Sequence, residues 1–513
     1  MPYFLDPLAL LLVPAAAAAV ALLLPRDRAG LISGWTAAAL VVEEGLAVGA
    51  LRQAPEWLES GASRVWLPAG AAYLRLGVDG LSFTCIALVP LLALAALVGT
   101  WSEAAPRAKE RGAALLVTTA ALQGVGAARD LTLFGLCLAL AALGAAYLVV
   151  GLSPADQTRA GTRLAAYHLV ATVLLLAATA VLQAQGPSAV PLPMVGALGL
   201  DAAAVPAGTR AVLLSALAAC FAVPMALFPW HGWLAPVSAA GGTGALLVAG
   251  AWPLVGAYGF SRVCTGLLGA DLAHWTGVAT FLAAAAALLP ALMTVAQPDL
   301  RRRLAWAASA FSGIVLLGLV SRREDAFVGA LVLAAAQAPL RLGLALLASR
   351  SDAPGATAAA PGRLHALWLV GALALLGLPG SGTFAGLVLI GADLADARPV
   401  PGVVALAALG LVSAGLLLPY GDLHRTAPSP APSRAVTAVT VAALAIALAV
   451  GLRPQPLVDL IRPAARSTLA GVSSAAAGGD LEEPAPATGG GAEAGEDLPA
   501  DSGPEGDDEG GTP

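Results

Sequence analysis

Apolar runs long enough to cross a bilayer recur along almost the whole chain, and this recurrence limits its fold more than any other feature. A helix needs about 20 apolar residues to span the hydrocarbon. Such runs lie near residues 4–24, 29–51, 79–101, 112–128, 131–150, 164–184, 210–239, 241–265, 273–295, 303–320, 326–349, 364–390, 402–420 and 434–452. Of the 513 residues, 58% are hydrophobic and 12% are charged, whereas soluble domains carry about 25% charged residues. The pattern predicts an all-α polytopic membrane protein with about fourteen transmembrane helices. Alanine, leucine, glycine and valine dominate the runs. Small residues let helices pack closely in lipid, where no hydrophobic drive brings them together.

Two runs carry helix breakers. Pro224 and Pro229 lie inside the seventh, and "GLPGSGTFAG" (377–386) lies inside the twelfth. Proline removes a backbone donor and glycine loosens the turn, so each run is expected to split into two half-helices. A pair of broken helices in corresponding places suggests inverted repeats around an ion or substrate pathway. A kink that merely helps packing is the alternative. Arg52–Gly80 should form a folded extramembrane cap, and Pro187–Gly208 a second long connection.

Loops after the odd-numbered runs carry the larger share of basic residues, including Arg26, Arg28, Arg107, Lys109, Arg111 and the Arg301–Arg303 triplet. The excess of basic residues marks the cytoplasmic side. The chain is therefore expected in the cell inner membrane with both termini outside the cytoplasm. The first run has no basic segment before it, and Arg26 and Arg28 follow it, so it reads as a span rather than a signal peptide. The transmembrane domain is expected over residues 1–463. Residues 464–513 form a Gly/Pro-rich acidic stretch without apolar periodicity, expected to be a disordered tail.

Cys85, Cys137, Cys220 and Cys264 fall in apolar runs without CxxC spacing and read as buried thiols. No GxxxxGKS, GxGxxG or HExxH framework occurs. Nothing therefore argues for nucleotide, flavin, iron–sulfur or zinc binding, and no cofactor is expected in this chain. Nor does anything argue for a nucleic-acid partner.

Several stretches together resemble one family. These are "RLGVDGLS" (75–82), "DLTLFG" (130–135), "FAVPMALFPWHGWL" (221–234), "GAYGFSR" (256–262), "AQPDLRRRLAWAASAFSG" (296–313) and "GLPGSGTFAG" (377–386). Their order and spacing are similar to those of the antiporter-like membrane-arm subunits of complex I, above all chain M of bacterial NADH:quinone oxidoreductase. The resemblance covers about residues 1–455. It implies proton translocation through buried ionisable groups, other membrane-arm and antiporter-like subunits as partners in a hetero-oligomeric complex, and lipid around them. It also implies membership of a respiratory enzyme whose redox chemistry belongs to other subunits.

The ionisable groups that the resemblance implies are missing. Ala139 stands where the family has the glutamate of its fifth helix, Pro224 at the lysine of the broken seventh, and Leu254 at the lysine of the eighth. Phe311 replaces a histidine, Leu387 replaces the charged group of the broken twelfth, and Ser238 replaces a second histidine. The only lysine in the sequence is Lys109, in a charged loop. No shift of register restores a buried lysine relay, so the chain is expected to be a degenerate copy, a non-pumping structural module.

Ionisable residues that remain within the runs are costly there and become candidates. His231 and His168 are the proton-path candidates of an alternative reading, a proton or cation translocator using other groups. A stand-alone transporter on the same fold is a further alternative. Arg341, with Gln337 one turn earlier, reads as a structural ion-pair partner because arginine stays protonated. Glu43 and Glu44 are buried polar residues whose adjacency points them to different faces. Asp79 and Asp299 read as helix caps.

Overall fold

The computed structural model describes residues 7–53, 61–67, 72–101, 107–150, 155–185, 205–351, 362–423 and 433–477. The chain opens with α1 (Ala9–Leu23) and α2 (Ala29–Gln53), then β1 (Gly61–Leu67) and β2 (Ala72–Gly77). Helices α3 (Gly80–Gly99), α4 (Ala108–Ala127), α5 (Leu131–Val150) and α6 (Ala155–Gln185) follow. Next come α7 (Ala207–Ala222), α8 (Leu234–Ala240) and α9 (Gly242–Gly259), the last continuing into a π-helical turn at Phe260–Thr265. The short α10 (Gly269–His274) leads to α11 (Thr276–Ala296), α12 (Leu300–Ser321) and α13 (Glu324–Ser351). The chain continues with α14 (Gly362–Leu376), α15 (Gly382–Ala397), α16 (Pro399–Leu423), α17 (Arg434–Leu452) and α18 (Gln455–Ala477). Ten of these segments are long and apolar enough to cross a membrane.

Burial separates a central group of helices from a rim. In α9, α12 and α13, 94% of the membrane-length window is buried, against 28% in α16 and 33% in α17. Rim side chains such as Phe281, Val403 and Leu406 are exposed, as lipid-facing positions require. Helix α13 is the hub, packing against α3, α9, α12, α14, α15, α17 and α18. Its crossing with α15 is set by two facing glycines. A Cβ on Gly386 would lie 2.8 Å from the Gly329 carbonyl oxygen, and one on Gly329 would lie 3.0 Å from that of Gly386. Without side chains at these points the backbones meet directly, which gives dispersion contacts their full strength where lipid supplies no drive.

The all-α expectation needs one amendment. The stretch expected to form an extramembrane cap contains an antiparallel hairpin, with Gly61 opposite Gly77 and Arg64 opposite Leu74. Its strands are short and alternate too weakly to stand out beside the membrane runs.

A second correction concerns the boundary at residue 463. Helix α18 runs through it to Ala477, with Pro463 tolerated inside. Val458, Ile461, Ala464, Ala465 and Thr468 are buried along one side. This helix packs across α3, α10 and α13 at the end of the bundle where α3 and α13 begin. The remainder of the acidic stretch lies outside the described residues.

The same end carries an ionic knot. Asp79 caps α3 reciprocally: Ser82 N–H donates to Asp79 Oδ1 at 2.9 Å, and Asp79 N–H donates to Ser82 Oγ at 2.8 Å. The same carboxylate pairs with Arg262 from the π-turn and, at 3.4 Å, with Arg129 before α5. Burial alone would push Asp79 up, but Arg262 and Arg129 outweigh it and hold the carboxyl at about 2. Asp299 also caps its helix, accepting from Arg301 N–H at 2.9 Å. Both caps match the sequence expectation.

Candidate functional site

Helix α7 stops at Ala222 and helix resumes only at Leu234. Between them lie Pro224, a cis Phe228–Pro229 bond and Ala226 at φ 53°. The backbone groups released there find partners. Trp233 donates its indole N–H to the Val223 carbonyl at 2.9 Å, and Ser309 Oγ on α12 donates to the Ala226 carbonyl at 2.5 Å. An irregular segment at membrane depth is tolerable where protein satisfies its backbone in this way.

The two histidine candidates flank this segment. His168 on α6 is 1% exposed, its Nδ1 lies 2.9 Å from the Leu164 carbonyl, and its ring meets Trp233 edge-on at 4.6 Å and Trp252 at 6.0 Å. The Leu164 bond places the ring proton on Nδ1, which leaves Nε2 as an acceptor without a partner. His231 is half-buried, with Phe228 at 5.5 Å and Trp306 at 4.7 Å, and its Nδ1 has no partner. Among the described residues no hydrogen bond joins His231 to His168. Both therefore sit as single imidazoles among aromatic rings.

The positions that the resemblance assigns to a charged relay are apolar. Phe311 is 0% exposed and Leu254 is 2% exposed. Pro224 is buried, and Ala139 and Leu387 are half-buried. Lys109 lies in the first turn of α4, remote in sequence from all of them.

The remaining candidates fall into two groups. Glu43 on α2 is buried and accepts from Gln123 Nε2 on α4 at 3.1 Å, while Glu44 turns aside and is half-buried. The two glutamates therefore do not act as a pair. Arg341 is 5% exposed and donates to Gln337 Oε1, so the structure brings these two together, but no carboxylate pairs with Arg341 among the described residues. Arg341 borders a cavity of about 20 Å³ together with Ser238 and Arg301.

Two arginines of the triplet tie helices together: Arg301 donates to the Ala239 and Ser349 carbonyls at 3.0 and 3.2 Å, and Arg303 reaches the Gly415 carbonyl at 3.0 Å. They clamp the C-terminal turns of α8 and α13 and the body of α16. Arg302 alone of the triplet points outward, with its side chain 54% exposed. The Asp79–Arg129–Arg262 knot and the Arg301–Arg341 cavity were not found from sequence. The signal available for the second was a run of arginines beginning at a helix cap, together with an arginine inside an apolar run. The four cysteines are free and buried, as their apolar surroundings imply.

Comparison with known proteins bears out the resemblance. Residues 128–413 match the family described as NADH:quinone oxidoreductase/Mrp antiporter, TM. NADH-quinone oxidoreductase subunit 13 of Thermus thermophilus is 33% identical over 366 residues, covering 68% of this chain and 74% of that one. An NAD(P)H-quinone oxidoreductase chain 4 of a Synechococcus species is 29% identical over 363 residues, 68% of each chain. The fold matches a chain of respiratory complex I from Thermus thermophilus with a TM-score of 0.79, covering 91% of this chain and 100% of that one at 24% identity. With more than half its length matched and a relative one-third identical, this multi-pass membrane chain belongs to the NADH:quinone oxidoreductase/Mrp antiporter transmembrane family, whose role is proton translocation.

Proposed function

We propose that this chain is a non-pumping, chain M-like module in the membrane arm of a complex I-related, quinone-linked assembly. It keeps the family scaffold and lacks the family's proton relay. One observation carries the reading: where the resemblance calls for buried lysine, glutamate and histidine, the chain places Pro224, Leu254, Phe311, Leu387 and Ala139. A relay works by holding a proton on one buried group until the next can take it. Apolar side chains cannot hold one. Arg341 adds to the argument in another way: a guanidinium stays protonated, so this buried basic group inside α13 cannot pass a proton on.

In this reading α7 with α8, and α14 with α15, are the two halves of broken spans in inverted repeats. The fourteen-span arrangement then leaves both termini outside the cytoplasm of an inner membrane. Neighbouring antiporter-like and redox subunits supply pumping and electron transfer, and lipid surrounds the rim. The second reading, translocation through His231 and His168, is favoured only by the unpartnered ring nitrogens of these two residues.

Purification of the chain from native membranes in mild detergent tests the placement. Recovery with redox subunits and a lysine-containing antiporter-like chain is the expected result. Recovery of the chain by itself contradicts the membrane-arm reading.

A further inference from the structure

We propose that the cavity between α8, α9, α12 and α13 is a binding site for one monatomic anion of chloride size, held by Arg341 and Ser238. The cavity of about 20 Å³ is bordered by Ser238, Arg301 and Arg341 and otherwise by apolar groups such as Leu234, Ala249, Leu304 and Ala308. A single water needs about 10–15 Å³, so there is room for one small species and none for phosphate or a lipid headgroup.

The electrostatics favour an anion over water. Arg341 is 5% exposed, its Nε has no hydrogen-bond partner, and its one recorded acceptor is the neutral Gln337 Oε1. Among the described residues no carboxylate borders the cavity. An isolated buried charge is very costly unless it is paired, and one water molecule solvates a guanidinium without neutralising it. Arg301 brings a second positive charge to the rim. Its terminal nitrogens donate to the Ala239 and Ser349 carbonyls, so it contributes field rather than ligands. Helix α12 also begins beside the cavity, and its first turns, including Leu304 and Ala305, line it. The positive end of its dipole adds to the same field.

At a rise of about 1.5 Å per residue, Ala308 and Ala249 lie roughly 10 Å along their helices from the starts of α12 and α9. The anion would therefore sit inside the bundle, within reach of the face where these helices begin. There it balances the charge that Arg341 brings into the membrane. The site stands whether or not the chain conducts protons.

Thermal unfolding of the purified full chain in sodium chloride and in sodium gluconate at equal ionic strength tests the site. Binding to the folded state alone raises the midpoint by mass action. The expected result is a midpoint that rises and saturates with chloride, rises likewise with bromide, and is insensitive to gluconate. Arg341→Gln is expected to abolish the chloride response. Ser238→Leu, which fills the cavity and keeps Arg341, is expected to do the same, and it serves if the arginine variant does not fold. Equal midpoints in the two sodium salts would mean that the cavity holds water alone and would overturn the proposal. A chloride response retained in the variants that fold would overturn it equally.

Discussion

Trp233 donates its indole N–H to the Val223 carbonyl oxygen at 2.9 Å, joining the chain after the α7 interruption to the chain before it. The same indole forms one wall of the His168 pocket. A single side chain thus fixes the irregular backbone and surrounds a candidate proton carrier with apolar surface. If the segment is scaffold rather than pathway, its substitutions should change stability and leave transport alone.

Trp233→Phe keeps a ring in the pocket and removes the donor. The Val223 carbonyl still accepts from Ala226 N–H at 2.9 Å, so the expected loss is about 1 kcal/mol. Trp233→Ala also opens a cavity, with an expected loss of about 3–5 kcal/mol. Thermal unfolding of the two variants in detergent measures the difference. Equal losses would mean that the indole hydrogen bond contributes nothing.

Asp79 offers a pH test with a definite sign. Its folded carboxyl is held at about 2 against an ordinary value of 3.8. A group whose pKa is lowered on folding stabilises above its unfolded pKa, and that stability is lost as pH falls through the folded one. Melting temperature should therefore fall between about 4 and about 2 through this group, and Asp79→Asn should remove that part of the pH dependence. The variant should also lose about 3 kcal/mol or more at neutral pH, because Arg262, its side chain 2% exposed, is left unpaired. An unchanged acid profile in Asp79→Asn would remove the knot from the account.

A methyl group at Gly80 would run into the Leu460 carbonyl oxygen. Gly80→Ala therefore cannot keep α18 where it lies, and overpacking of this kind costs about 1–3 kcal/mol. Limited proteolysis should cut α18 faster in the variant, since lifting the helix exposes Val458 and Ile461. Equal rates would contradict docking of α18 at this point.

His168→Leu replaces a buried imidazole, one nitrogen of which has no partner, by an apolar side chain of similar size. Removing an unsatisfied buried polar atom is close to neutral or stabilising. The expected result is an unchanged or slightly higher melting temperature. A loss of several kcal/mol would show that Nε2 has a partner in the assembled complex.

Features that depend on local sequence were legible before the structure. The helix start after Asp79, the cap at Asp299 and the interruption at Pro224 each follow from a residue type acting on its own backbone. Features that depend on distant partners were not. Nothing in "VDGLS" says that Asp79 meets Arg262, 183 residues away. The loop position of Arg301 says nothing of the carbonyls of Ala239 and Ser349. Helix α18 is hidden for another reason: its signal is an amphipathic one, not an apolar run of membrane length. Val458, Ile461, Ala465 and Thr468 recur at three- and four-residue spacing in a stretch too polar to span. The absent relay was legible because a count of lysines needs no register.

The central claim is that no proton crosses through this chain. The most direct test is the number of protons moved per electron in liposomes holding the intact assembly, compared between the unaltered chain and one carrying His231→Ala with His168→Leu. The account requires the same ratio in both. A lower ratio in the double variant, with the assembly intact and electron transfer unimpaired, would contradict it and make the two histidines a pathway.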